Sequence, residues 1–242
     1  MLRDQDRLHL GLMLALTFST GVVDAIGYLG LDKVFTGNMT GNVVILAMGL
    51  SELGSGGRNA LPVVGPVIAL VGFVVGAMIA GRCLRGVPKG WHRRDTTMLA
   101  VVAALLLIGL VPTAFITETP ARPELGYPVT ALLAIAMGMQ AGTARHVAVG
   151  DVTTVVVTST LAGLAFDSRL GRGAGQPWVR RLLAVALIGL GALAGALLLR
   201  IAFWAGLSLA AAIVLVVAVL GAVGRRRHDR LQRTGEAAEA AR

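Results

Sequence analysis

Residues 34–50 read Val-Phe-Thr-Gly-Asn-Met-Thr-Gly-Asn-Val-Val-Ile-Leu-Ala-Met-Gly-Leu. The run is apolar at its end and polar at its start. Its 17 residues fall short of the ~20 that carry a helix across a bilayer. A helix that begins inside a membrane leaves its first backbone N–H groups without carbonyl partners. Asn38, Thr40 and Asn42 are of the residue types that cap such groups or stand beside them to meet a ligand. Gly37 and Gly41 permit close helix approach, the ordinary packing explanation for small residues at this spacing. The stretch predicts a broken or re-entrant helix, and its neighbours decide how it sits.

Those neighbours are more apolar blocks, at 8–31, 60–80, 97–116, 127–149, 152–166, 178–199 and 202–223. The 242 residues are 55% hydrophobic and only 14% charged, whereas soluble domains carry about a quarter charged residues. The blocks are continuously apolar rather than alternating, which excludes a β-barrel. The fold class expected is an all-α polytopic membrane protein, a single membrane domain over 1–242 with a basic tail at 225–242. Arg3 and Arg7 precede the first block without a small-residue cleavage site, so the block reads as an uncleaved first helix.

Charge sets the crossings. The net charge of +9 clusters in short loops, as at Arg82, Arg85, Lys89, Arg93 and Arg94, and again at Arg225, Arg226 and Arg227. That is the positive-inside pattern of a cytoplasmic face, not a nucleic-acid footprint. If all eight blocks crossed from a cytoplasmic N-terminus, the Arg82–Arg94 loop would lie outside. If the short blocks 34–50 and 152–166 enter and leave on one side, that loop falls inside, together with Arg180, Arg181 and the basic tail. Six transmembrane helices plus two short broken helices are expected, with both termini cytoplasmic and the protein in the bacterial inner membrane.

The chain also repeats weakly. Thr20-Gly21-Val22-Val23-Asp24-Ala25 resembles Met137-Gly138-Met139-Gln140-Ala141-Gly142, and Met39-Thr40-Gly41-Asn42 matches Val157-Thr158-Ser159-Thr160. Each half has the order long, short, long, long, about 8–116 and 127–223. With three crossings apiece the halves must be inverted, a construction used by many secondary transporters.

Val23-Asp24-Ala25 upstream of Met39-Thr40-Gly41-Asn42, then Gly138-Met139-Gln140 and a Thr-rich segment, resembles the YoaK family, bacterial multi-pass membrane proteins classed as a domain of unknown function. The likeness runs from about Leu10 to Val223 and implies a membrane location but no substrate. The family often has Asn after the Gln, where this chain has Ala141, so a role for that amide is in doubt here.

Asp24 is the sole acid well inside an apolar block. A carboxylate at membrane depth is costly and marks a cavity, a partner or a proton path by default; the competing explanation is a position near the outer interface. Asp24, Asn38, Thr40, Asn42, Gln140, Thr158, Ser159 and Thr160 are expected to line one solute site between the halves. Hydroxyls in membrane helices also bond their own i−4 carbonyls, and Gln140 serves equally for a helix-to-helix bond. Arg145 and His146 are expected at an inner vestibule, facing Asp151 or solute. The positive ends of two half-helices favour an anion, and Asp24 is the candidate proton carrier.

The expected function is thus a secondary transporter or permease for a small, anionic solute. The architecture resembles that of SulP-type anion transporters, a likeness that does not fix function. The alternative is a structural or regulatory membrane protein. An enzyme is not expected, since no nucleophile elbow, P-loop, dinucleotide fingerprint or zinc-protease motif is present and only His146 with a nearby Ser or Thr offers a thin catalytic pairing. Cys83 is alone and the four histidines lack ligand spacing, so no metal and no cofactor is expected. The expected partners are the lipid bilayer and a small-molecule solute, with homo-oligomer formation left open.

Overall fold

The computed structural model describes residues 2–52, 61–113, 126–147, 157–168 and 178–240. Among these the chain is helical without strands: α1 Leu2–Gly30, α2 Met39–Ser51, α3 Val64–Cys83, α4 Arg93–Ile108, α5 Leu110–Thr113, α6 Tyr127–Val147, α7 Val157–Phe166, α8 Trp178–Leu199 and α9 Phe203–Ala240. Four of them, α1, α3, α8 and α9, contain stretches long and apolar enough to cross a membrane. The fold is that of a helical membrane protein.

Four helices make the centre. Leu16, Val23 and Ile26 of α1, Leu99 and Leu106 of α4, Leu133 and Met137 of α6, and Leu207 and Val214 of α9 form one buried cluster. Helices α3 and α8 flank it and leave broad apolar faces outward, with Val71 60% and Leu193 56% exposed. In water such faces would be a liability. In lipid they are not, because tails are as apolar as leucine and helix association there rests on close packing.

Glycines supply that packing. Gly21 of α1 lies against the Ile188 carbonyl of α8, and Gly191 and Gly195 of α8 against Phe18 and Val22 of α1. Gly138 of α6 lies in the same way against the Phe73 carbonyl of α3, while Gly72 and Gly76 of α3 lie against Ala131 and Ile135 of α6. The pairs Gly72/Gly76, Gly138/Gly142 and Gly191/Gly195 are packing seams. Numbers rise together along each pair, so α1 runs parallel to α8 and α6 parallel to α3. Leu8 meets Gly224 and Ile26 meets Gly206, which sets α9 antiparallel to α1. Trp91, just before α4, meets Gly221, while Gly109 at its end meets Leu207, so α4 is also antiparallel to α9.

The short second block enters and leaves at one end. After α1 the chain turns at Lys33, whose φ of 47° is the left-handed conformation. An extended limb then runs back along α1, setting the Val34 carbonyl beside Gly27 and Gly37 beside Thr20. Helix α2 starts only there, at Met39 rather than Val34, and returns until Gly49 meets the Leu61 and Pro62 carbonyls ahead of α3. The start moves to Met39 because Asn38 supplies the cap.

Two other boundaries differ from the sequence reading. Helix α4 begins four residues before position 97, at Arg93, because His92 and Asp95 form a reciprocal capping box. Helix α9 continues unbroken from the apolar block into the basic tail as far as Ala240.

Candidate functional site

A cavity of about 640 Å³ lies between the starts of α2 and α7 and the C-terminal part of α1. Of the sequence-expected residues, Asp24, Asn38, Thr40 and Thr158 line it. Thr20, Tyr28 and Phe35 line it as well, and sequence reasoning passed over them. Thr20, Asp24 and Tyr28 are four residues apart and so share one face of α1; that stripe was the available signal.

Asp24 is buried, with 7% of its surface exposed. Its Oδ1 accepts from the backbone N–H groups of Thr36 at 3.0 Å and Gly37 at 2.7 Å. The carboxylate thereby fastens the extended limb to the C-terminal part of α1. Asn38 Oδ1 accepts from the Gly41 N–H at 3.3 Å, the ordinary cap of a helix start.

Asn42 does not line the cavity. It is fully buried, its Oδ1 accepting from the Phe35 N–H at 2.9 Å and its Nδ2 donating to the Phe35 carbonyl at 2.6 Å. This two-way bond holds the limb against α2 and aims the Phe35 ring, which stacks on Tyr28 at 4.9 Å between centroids. Replacing Asn42 by leucine leaves both backbone groups of Phe35 unpaired. The expected loss is about 2–6 kcal/mol, from about 1–3 per unsatisfied group, read as a lower melting temperature of the purified protein. An unchanged melting temperature would show that the bond is dispensable.

The sequence left open whether the amides near the start of α2 are capped or face a ligand. Those of Phe35, Thr36, Gly37 and Gly41 are taken by Asn42, Asp24 and Asn38.

Gln140 is also off the cavity wall. Buried in α6, its Nε2 donates to Thr20 Oγ1 at 3.1 Å and lies 3.4 Å from the Leu16 carbonyl, linking α6 to α1 behind the site. Thr20 donates its own proton to the Leu16 carbonyl, four residues earlier. Ser159 and Thr160 follow Thr158 in the first turn of α7 without being among the cavity-lining residues. Thr153, Thr154 and Asp151 lie outside the described residues.

Arg145 and His146 end α6, away from the cavity. Arg145 is exposed. His146 does not face solute: Nδ1 lies 2.8 Å from Asp95 Oδ1, and Nε2 lies 3.1 Å from the Val87 carbonyl. The other Asp95 oxygen accepts the His92 N–H at 2.9 Å. Asp95 is fully buried, an acid at the edge of an apolar block that was not singled out; the His-x-x-Asp spacing of a capping box was its signal. Among the described residues no cluster of His, Cys, Asp or Glu has the makings of a metal site.

Four helices long and apolar enough to cross a membrane, with apolar faces turned outward, define the class: a multi-pass helical membrane protein. The chain belongs to the family described as "Protein of unknown function (DUF1275)", which matches residues 12–220. It is similar to the UPF0700 transmembrane protein YoaK of Bacillus subtilis (strain 168), at 31% identity over 157 residues. That match spans 64% of this chain and 65% of the relative. No solved structure matches.

Proposed function

We propose that the protein is a secondary transporter or permease of a bacterial cell membrane, binding a small solute in the Asp24 cavity. The observation that carries this reading is the cavity itself, where a buried carboxylate and the starts of two short helices meet. A charged group at membrane depth is expensive and marks a pathway more often than a packing element.

Six crossings as two inverted repeats are part of the proposal. Exchanging α1 with α6, α2 with α7, α3 with α8 and α4 with α9 carries α1–α8 onto α6–α3, α1–α9 onto α6–α4, and α2–α3 onto α7–α8, while α8–α9 has no comparable α3–α4 counterpart. The chain directions add to this. Asp95 meets His146 and Leu133 meets Gly109, so α4 and α6 are antiparallel. Since α1 and α4 both oppose α9, α1 opposes its counterpart α6. A two-fold axis across the helices, in the membrane plane, accounts for that opposition. Helices α4 and α5 together have a length suited to a crossing.

The positive end of this bundle is proposed to be cytoplasmic, with both termini there. Native Cys83, exposed after α3, sits at that end. A membrane-impermeant maleimide applied to intact cells should leave Cys83 unlabelled. It should label Lys33→Cys in a Cys83→Ser background. Labelling of Cys83 without permeabilisation would reverse the orientation.

No ATP-binding motif occurs in the chain, so movement would draw on a gradient or a separate subunit. Asp24 is the proposed proton carrier. Flux into proteoliposomes under an imposed pH gradient tests this: Asp24→Asn should accumulate solute without regard to the gradient. An unchanged pH response in Asp24→Asn would remove the coupling role. The second reading, a structural or regulatory membrane protein, is favoured by the two amides that Asp24 holds. It prevails if no solute in a panel of cations, anions, amino acids and sugars crosses.

A further inference from the structure

The charge on the cavity wall has one sign. Asp24 is the single charged side chain among the described residues that line it, and no Lys, Arg or His stands there. Residues 148–156, which lead into α7, contain none either. Asp24 Oδ1 accepts from the Thr36 and Gly37 amides, and the Asn38 amide also bonds the carboxylate. Beside it the Tyr28 and Phe35 rings are stacked, 24° from parallel, and both border the same space. Aromatic faces carry negative potential and attract cations, quaternary ammonium above all. The remaining polar wall, Asn38, Thr40 and Thr158, is uncharged.

We propose that this cavity takes a small organic cation, an amine or quaternary ammonium, held between the Asp24 carboxylate and the Tyr28–Phe35 ring pair. The proposal rests on reading the cavity as a solute site and names the class of solute. An anion would meet a like charge and find the nearby amides already taken. A bare metal ion would leave the ring pair unused and much of the ~640 Å³ unfilled. Cavities from about 300 Å³ upward suit organic solutes.

Tetramethylammonium is the probe, with its neutral analogue tert-butanol and the anion acetate as comparisons. Each is titrated calorimetrically into the full-length protein in detergent and then followed as flux into proteoliposomes. Tetramethylammonium should bind and the other two should not. Asp24→Asn should weaken binding by about ten-fold or more, the loss of one paired charge. An asparagine still offers Oδ1 to both amides, so the limb keeps its anchor and the variant reports on charge. Tyr28→Leu, which leaves Asp24 in place, should weaken binding about three-fold or more. Acetate or tert-butanol binding in preference to the cation overturns the proposal, and so does cation binding indifferent to both variants. If acetate or tert-butanol crosses the membrane instead, the transporter reading survives without its cation. If tetramethylammonium binds but never crosses, the cation site stands and the transporter reading falls. If nothing binds or crosses, both are wrong.

Discussion

Gly138→Val and Gly21→Val are each expected to cost about 3 kcal/mol or more, the upper range for forcing bulk into a packed contact. A Cβ at Gly138 would run into the Phe73 carbonyl oxygen of α3, and one at Gly21 into the Ile188 carbonyl oxygen of α8. Both obstacles are helix backbone, which cannot turn aside as a flexible side chain does. The helices would have to separate, and the neighbouring contacts Gly76–Ile135 and Gly191–Phe18 would open with them. Thermal unfolding followed by size-exclusion chromatography in detergent reads the loss. Gly189→Val is the control, because a Cβ there meets nothing within 4 Å. Gly138→Val as stable as that control would contradict the packing described for α3 and α6. Near-equal losses at Gly21 and Gly138 are the further expectation if the halves are repeats.

Asp95→Ala should cost about 2–4 kcal/mol, from the buried hydrogen-bonding groups it leaves unsatisfied. It leaves the His92 N–H without its acceptor and His146 Nδ1 facing an empty space inside the bundle. Three elements meet at this point, the start of α4, the end of α6 and the Val87 carbonyl between α3 and α4. The loss should therefore appear as separation of α6 from α4, read as a lower melting temperature and faster proteolysis at 84–92. Asp95→Ala combined with His146→Leu should recover part of the stability, since the unpaired ring leaves with its partner. A single variant that melts like the parent would show that the pair carries no stability.

The helical membrane fold was legible from the length and apolar composition of the blocks. A 17-residue block with a polar start reads as a helix that turns back, because no full crossing fits it. Asp24 stood out because carboxylates are rare in apolar blocks. What those residues touch was not legible. Spacing along α1 reports a shared face and says nothing of a limb folding down onto it, so the capture of the Thr36 and Gly37 amides by Asp24 went unforeseen. Asp95 was overlooked because it lies where an apolar block begins, and acids at block edges are ordinarily solvated. Glycine pairs announced close approach without saying to which helix.

The pairing of α1 with α8, and of α6 with α3, bears on how the chain is made. When α1 leaves the ribosome its long partner is more than 150 residues from synthesis. Until then its glycine face and Asp24 must wait in the bilayer or in the care of the insertion machinery, and α3 must wait likewise for α6. Neither half holds the mate of its own first helix. A chain cut within 114–125 would consequently yield two fragments that are unstable when expressed singly. Expressed together, each is the template the other lacks.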